Sequence, residues 1–126
     1  MIPEEARFMW LFCFFDLPVG TKSQRRTATR FRNHLKNDGF IMLQFSVYAR
    51  LCRGEDGNQK HVDRIRSALP KEGSIRCMTI TDKQYARMRL MLGTATKTES
   101  KAGQQLVFSL IFHAVNMKNQ RKYKGL

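Results

Sequence analysis

Asp16 is the first residue of the chain whose type and place suggest chemistry. It ends a run of eight apolar residues, Phe8 to Phe15, and is followed by the chain-turning Leu17-Pro18. One carboxylate alone does little. Two copies brought together in a partly dry site repel, raise each other's pKa, or take up a hard divalent cation such as Mg²⁺ or Mn²⁺. A cation so held activates water for phosphodiester hydrolysis. The plainer role for Asp16 is to cap the Asp-Leu-Pro turn, as aspartates before turns commonly do.

The second candidate group is cationic. Lys22, Arg25, Arg26, Arg30, Arg32 and Lys36 follow one another with no acid before Asp38. An unbalanced basic face of this kind suits phosphate contact, the alternative being a merely solvated face. Arg50 joins the set by charge and position. His34, His61 and His113 are far apart and give no support for a zinc site. Cys13, Cys52 and Cys77 show no Cys-x-x-Cys spacing, and Cys13 and Cys77, inside apolar stretches, read as buried reduced thiols.

The whole chain agrees with a polyanionic partner. Its 126 residues suit one domain, and lysine and arginine exceed the acids to leave a formal charge of +13 and a pI near 10.3. Nucleic acid is the favoured partner and an anionic membrane surface the lesser one. The first apolar run is too short to span a bilayer and is preceded by Glu4 and Glu5 rather than by a signal peptide's basic stretch. A cytoplasmic chain without membrane contact is expected.

The elements that must position these residues follow from periodicity. Arg7 to Phe15 reads as a strand with two apolar faces, Phe8, Trp10, Phe12 and Phe14 on one and Met9, Leu11, Cys13 and Phe15 on the other. Thr21-Lys-Ser-Gln24 is a capping box, Ala28, Phe31 and Leu35 follow at helical spacing, and Gly39 is placed to end the helix. Phe40 to Leu51 alternates Leu43, Phe45, Val47 and Ala49 as core against Gln44, Ser46, Tyr48 and Arg50 as a semi-polar face; two short strands, or a strand and a bulged extension, both fit this periodicity. "RGEDGNQ" reads as a polar turn before a helix from Gln59 to Leu69, with Val62, Ile65 and Leu69 apolar. Ser74 to Ile80 is a further strand, and a second capping box, Thr81 to Gln84, opens a short helix carrying Tyr85, Met88 and Leu92.

This order predicts an α+β, ferredoxin-like βαββαβ fold over residues 1–92, an antiparallel sheet with its helices on one face. Residues 93–103 read as a linker, 104–112 as a C-terminal strand, and 113–126 as a disordered basic tail. The helix-free face of the first strand needs cover, and a second copy of the chain supplies it economically, making a homodimer. Asp16 shares the parity of Phe8, Trp10, Phe12 and Phe14, so the two copies of its carboxylate would approach across the axis.

Three stretches resemble a known family in order. "FCFFDLP" is similar to its first strand ending at an aspartate, "SQRRTATRFRNHLKNDGF" to its Arg-rich first helix closing on glycine, and "LQFSVYAR" to its second-strand signature. The family is the small CRISPR-associated adaptation protein, Cas-two, and the wording "DGF", "LQFSVY" and "TDKQY" looks most like members from single-effector, type II-like systems. The resemblance spans about Arg7 to Leu92, with "QQLVF" similar to the final strand and no clear counterpart past Ser109.

The resemblance implies a ferredoxin-like homodimer whose last strand crosses to extend the partner's sheet. It also implies a scaffold role beside the Cas-one integrase, which captures short foreign DNA and inserts it in the CRISPR array. The ligand implied is double-stranded DNA, with single-stranded RNA a second candidate. Nuclease activity on RNA or DNA, with Mg²⁺ or Mn²⁺ shared across the dimer, varies between members. The catalytic and metal residue carried over is Asp16. Arg25 and Arg26 fall where the family has basic residues; Lys22, Arg30 and Arg50 are added from charge.

Two rival functions share these features. An RNA-binding module of the RRM type would stack bases on its sheet, but "SIRCMTIT" has no aromatic where that motif needs one. An autonomous metal nuclease needs acid-base groups besides Asp16, and Ser46 and Tyr48 serve poorly at neutral pH.

Overall fold

A computed structural model of the chain describes residues 7–94. Seven elements follow in order: β1 (Phe8–Asp16), α1 (Lys22–Asn37), β2 (Ile41–Gln44), β3 (Val47–Arg53), α2 (Gly54–Ser67), β4 (Ser74–Thr81) and α3 (Asp82–Ala86). The strands form one sheet in the order β2-β3-β1-β4, and β1 runs antiparallel to both neighbours. This is the ferredoxin-like plan. The expected strand 104–112, the tail 113–126 and the linker beyond residue 94 lie outside the described residues.

The strict alternation of β1 divides the interior in two. Leu11, Cys13 and Phe15 meet Phe31 and Leu35 of α1, Ile65 of α2, and Phe40, Tyr48 and Cys52 in the main core. Phe15 and Phe31 meet edge to face with ring centroids 5.3 Å apart, a favoured aromatic geometry. Trp10 and Phe12 face the other way, with Ala49 and the half-buried Phe14, Ile41, Leu43, Val47, Leu51, Ile80 and Tyr85. The two-sided apolar pattern of β1 is thus satisfied on both faces.

Much of the second cover comes from the chain itself. Tyr85 of α3 stacks on Trp10 at 4.0 Å and 12°, leaving the indole 1% exposed. A second copy is therefore not required to bury Trp10.

The βαββαβ expectation is met over Phe40 to Leu51 by two strands, turning at Phe45-Ser46 with Ser46 at φ 63°, but several finer expectations change. Leu43, Val47 and Ala49 do share a face, but Phe45 projects from the turn and is 80% exposed, whereas Tyr48 lies in the main core. Tyr48 is buried because both helices pack on its side of the sheet.

Helix α2 begins at Gly54 rather than Gln59. Gly54 takes φ 71° and donates its N–H to Arg7 O at 2.8 Å, while Glu55 and Asp56 in the first turn complement the helix dipole. Leu69 falls beyond the helix and is exposed; Asn58 and His61 are buried in its place. Cys77 is exposed rather than buried, because β4 is an edge strand in the sheet order. The third helix stops at Ala86, leaving Met88 and Leu92 exposed beyond it.

Candidate functional site

Local signals set the first helix as expected. The Thr21 hydroxyl accepts from Gln24 N at 3.1 Å, and Thr21 N donates to Gln24 Oε1 at 3.0 Å. Burying Ala28, Phe31 and Leu35 turns the opposite side of α1 outward. There Lys22, Arg25, Arg26, Thr29, Arg30, Asn33, His34 and Asn37 line a shallow open groove. Four of the expected basic residues are therefore brought together.

The first turn of α1 has no acid and opens on Lys22, although backbone N–H groups already make a helix N-terminus positive. The exposed side chains of Lys22, Arg26 and Arg30 make no hydrogen bond or ion pair among the described residues. Arg25 differs: its Nη1 donates to Val19 O at 3.1 Å and Gly20 O at 3.4 Å, fixing the loop that enters the helix. It shapes the groove as well as charging it.

Arg50 is placed elsewhere. It is half-buried on the helix side of β3, opposite Leu11, and donates to the Leu51 carbonyl at 2.9 Å. It does not line the α1 groove. Its Nε lies 3.2 Å from His61 Nδ1, which is also 2.7 Å from Asp38 Oδ2. One ring nitrogen cannot accept and donate at once, and the shorter contact decides for Nδ1–H donating to Asp38.

Asp38, the C-cap of α1, also accepts from Arg64 Nη1 at 2.6 Å. This cluster of Asp38, His61 and Arg64 ties the end of α1 to α2. Burial works to raise the Asp38 pKa, but the hydrogen bonds from His61 and Arg64 outweigh it and the carboxyl titrates below its usual range. Burial holds the His61 pKa down against the opposing pull of Asp38. In the folded chain His61 therefore stays neutral below the pH at which it charges in the unfolded chain.

The sign of the pH dependence follows. Between the unfolded histidine value of about 6.5 and the lower folded one, the unfolded state binds more protons, so stability falls as pH falls through that window. The depressed Asp38 adds a second loss at more acid pH, from its unfolded value of about 3.9 down through its folded value. Asp38→Ala should cost about 1–3 kcal/mol at neutral pH, chiefly by orphaning the buried His61 donor. Arg64 is half exposed and adds little. Urea unfolding of both proteins at neutral pH measures this, and an unchanged midpoint would remove the anchoring role.

Asp16 stands at the end of β1, exposed and opposite Ser74 of β4. Phe15 N donates to Ser46 O at 3.1 Å, drawing the β2–β3 turn toward it. Gly73, at φ 101°, lies so close that a Cβ would fall 2.7 Å from Asp16 O. Around this end Phe14, Phe15, Asp16, Ser46, Val47, Ser74 and Arg76 line an open cavity of about 270 Å³. The Asp16 carboxylate makes no hydrogen bond or ion pair among the described residues, so nothing supports its acting as a turn cap. Arg76 was not among the expected site residues; its signal was a cation opposite Phe14, two ladder positions from Asp16.

As a metal site this end is sparse. Among the described residues no three His, Cys, Asp or Glu side chains converge to hold a cation. Mg²⁺ is compatible with one or two carboxylates plus water. The unengaged Asp16 fits that requirement best when a second chain brings another carboxylate.

Comparison with known proteins adds an independent line. The family model for CRISPR associated protein Cas2 matches residues 9–88. A CRISPR-associated endoribonuclease Cas2 from Acidovorax ebreus is 50% identical over 93 residues, covering 74% of this chain and 91% of the relative. One of the same name from Flavobacterium psychrophilum is 44% identical, covering 81% and 89%. Another from Campylobacter jejuni is 33% identical over 121 residues, 96% of this chain and 82% of the relative, so similarity continues past Ser109. A solved structure described as the crystal structure of cas2 superposes with a TM-score of 0.50 at 16% identity, covering 71% of this chain and 91% of that one, which supports the shared fold. No helix among the described residues is long and apolar enough to cross a membrane.

Proposed function

The chain belongs to the CRISPR-associated protein Cas2 family, and from that premise we propose that it is a CRISPR adaptation protein, a homodimeric scaffold that holds duplex DNA for the Cas-one integrase. The observation that carries this is the outward face of α1, where Lys22, Arg26 and Arg30 make no ion pair among the described residues, beside the Arg25-ordered loop. Cations with no protein partner keep their full attraction for phosphate, and a helix face presents them in a line a duplex backbone can follow.

Mechanistically, α1 contributes electrostatics and position rather than bond-making. The Asp38–His61–Arg64 cluster holds the end of the helix, and the capping box sets its start. The cationic groove is thereby fixed relative to the sheet.

Phosphodiester cleavage is the second reading. It is favoured by the unengaged carboxylate of Asp16 and by relatives named endoribonucleases. Asp16 from each of two copies would hold a Mg²⁺ or Mn²⁺ ion. When bound, that ion would supply a water acidic enough to attack phosphorus. Arg76, opposite Phe14 on the adjacent strand, would neutralise a substrate phosphate.

The base-stacking reading fares less well. Trp10 and Phe12, which would have to stack bases, are buried on the sheet face opposite α1 and α2, where Tyr85 of α3 covers Trp10.

The scaffold reading is tested by titrating a labelled DNA duplex with the full chain at several salt concentrations. Affinity that falls steeply with salt supports it; salt-independent binding overturns it.

A further inference from the structure

Cys13 and Cys77 face each other directly on the β1–β4 ladder. Odd-numbered residues of β1 turn their backbone groups toward β3, as Phe15 N bonded to Ser46 O and Arg7 O bonded to Gly54 N show. Cys13 and Cys77 are therefore a non-hydrogen-bonded pair of β1 and β4, the closer kind, with Cα atoms about 4.5 Å apart in such pairs. That separation lies at the short end of the disulfide range of about 4.4–6.8 Å.

The two side chains emerge on the same face of the sheet but in different surroundings. Cys13 is 0% exposed in the main core, whereas Cys77 lies open on the edge strand. We propose that Cys13 and Cys77 form a peroxide-sensitive dithiol that closes reversibly to a cross-strand disulfide, tying β4 to β1 three residues from Asp16.

The surroundings of the two sulfurs support the assignment of roles. The adjacent Cys13 thiol brings the Cys77 pKa down to about 7, against its burial. Cys13 is pushed up by the same contact, by burial and by the charge on Cys77. Cys77 is thus the attacking thiolate and Cys13 the resolving thiol.

Hydrogen peroxide is the oxidant. The Cys77 thiolate takes the near oxygen as the O–O bond breaks, and the departing hydroxide takes up a proton to leave as water. The Cys13 sulfur then attacks the Cys77 sulfenic sulfur. The S–O bond breaks, and the Cys13 proton leaves with the hydroxide as a second water. Two thiols are oxidised by two electrons, and one peroxide is reduced to two waters. Cys52 is the internal control: it is buried, donates toward the Arg50 carbonyl, and is pushed up to about 11, chiefly by burial.

Trypsin places the three cysteines in separate peptides, 8–22, 51–53 and 77–83. The full reduced chain is treated with hydrogen peroxide, unfolded, alkylated, digested and weighed. The expected product is peptide 8–22 joined to 77–83 with the loss of two hydrogens, reversed by dithiothreitol, with Cys52 still alkylated. Oxidation of Met9 or Met78 adds oxygen and is distinguishable. Cys77→Ser, at an exposed position, should leave Cys13 fully alkylatable after peroxide. Overturning results are Cys77 carried to the sulfinic acid with Cys13 still alkylatable, a link formed only between chains, or a pairing that includes Cys52.

Discussion

Replacing Arg26 and Arg30 together with glutamine should weaken duplex binding roughly 10- to 100-fold near 0.1 M salt and flatten its salt dependence. Each arginine that neutralises one phosphate contributes about 0.9 to the slope of log affinity against log salt, so two per chain remove about 1.8. Both side chains are exposed, belong to the same helix face and make no hydrogen bond among the described residues. The substitutions therefore remove charge with little effect on the fold. Arg25→Gln is a less clean probe, because it also breaks the bonds to Val19 and Gly20 that shape the loop. Fluorescence anisotropy across a salt series measures the effect, and an unchanged slope would return the α1 face to solvent.

The second large effect is chemical. Asp16→Ala should remove metal-dependent phosphodiester cleavage, to the level of protein without added Mg²⁺ or Mn²⁺, while leaving duplex affinity within about twofold. Among the described residues Asp16 is the one acidic side chain lining its cavity, beside two serines and an arginine, and its carboxylate makes no hydrogen bond there. The same variant should unfold at nearly the same urea concentration, since surface changes away from special features stay within about 0.5 kcal/mol. Cleavage of labelled RNA and DNA with and without metal measures the loss. Undiminished metal-dependent cleavage would place the chemistry elsewhere.

Much of this arrangement was readable from residues that act locally. The capping box of Thr21 and Gln24, the spacing of Ala28, Phe31 and Leu35, and Gly39 at φ 86° together define α1 and the face it turns outward. Each of these signals depends on neighbours within a few positions. Asp16 was legible for the same reason, as the end of an apolar run.

What escaped depends on residues distant in sequence. Arg50 looked like a surface cation until strand pairing turned it inward toward His61, which belongs to a later helix. The exposure of Cys77 follows from β4 lying at the sheet edge, a matter of strand order that alternation cannot reveal. Likewise, the cover that Tyr85 gives Trp10 joins elements separated by most of the described chain. The start of α2 was missed because Gly54 and Gly57 looked like turn residues, while Glu55 and Asp56 had a helix-start role beside them.

Spacer acquisition in cells carrying Asp16→Ala, with its dimeric state and duplex affinity confirmed on the purified chain, tests most directly whether holding DNA rather than cutting it is the function. Acquisition at close to the unsubstituted level is predicted, because the proposed scaffold role rests on α1 and not on the carboxylate. Loss of acquisition by a dimer that still binds duplex would contradict it and make cleavage at Asp16 the function.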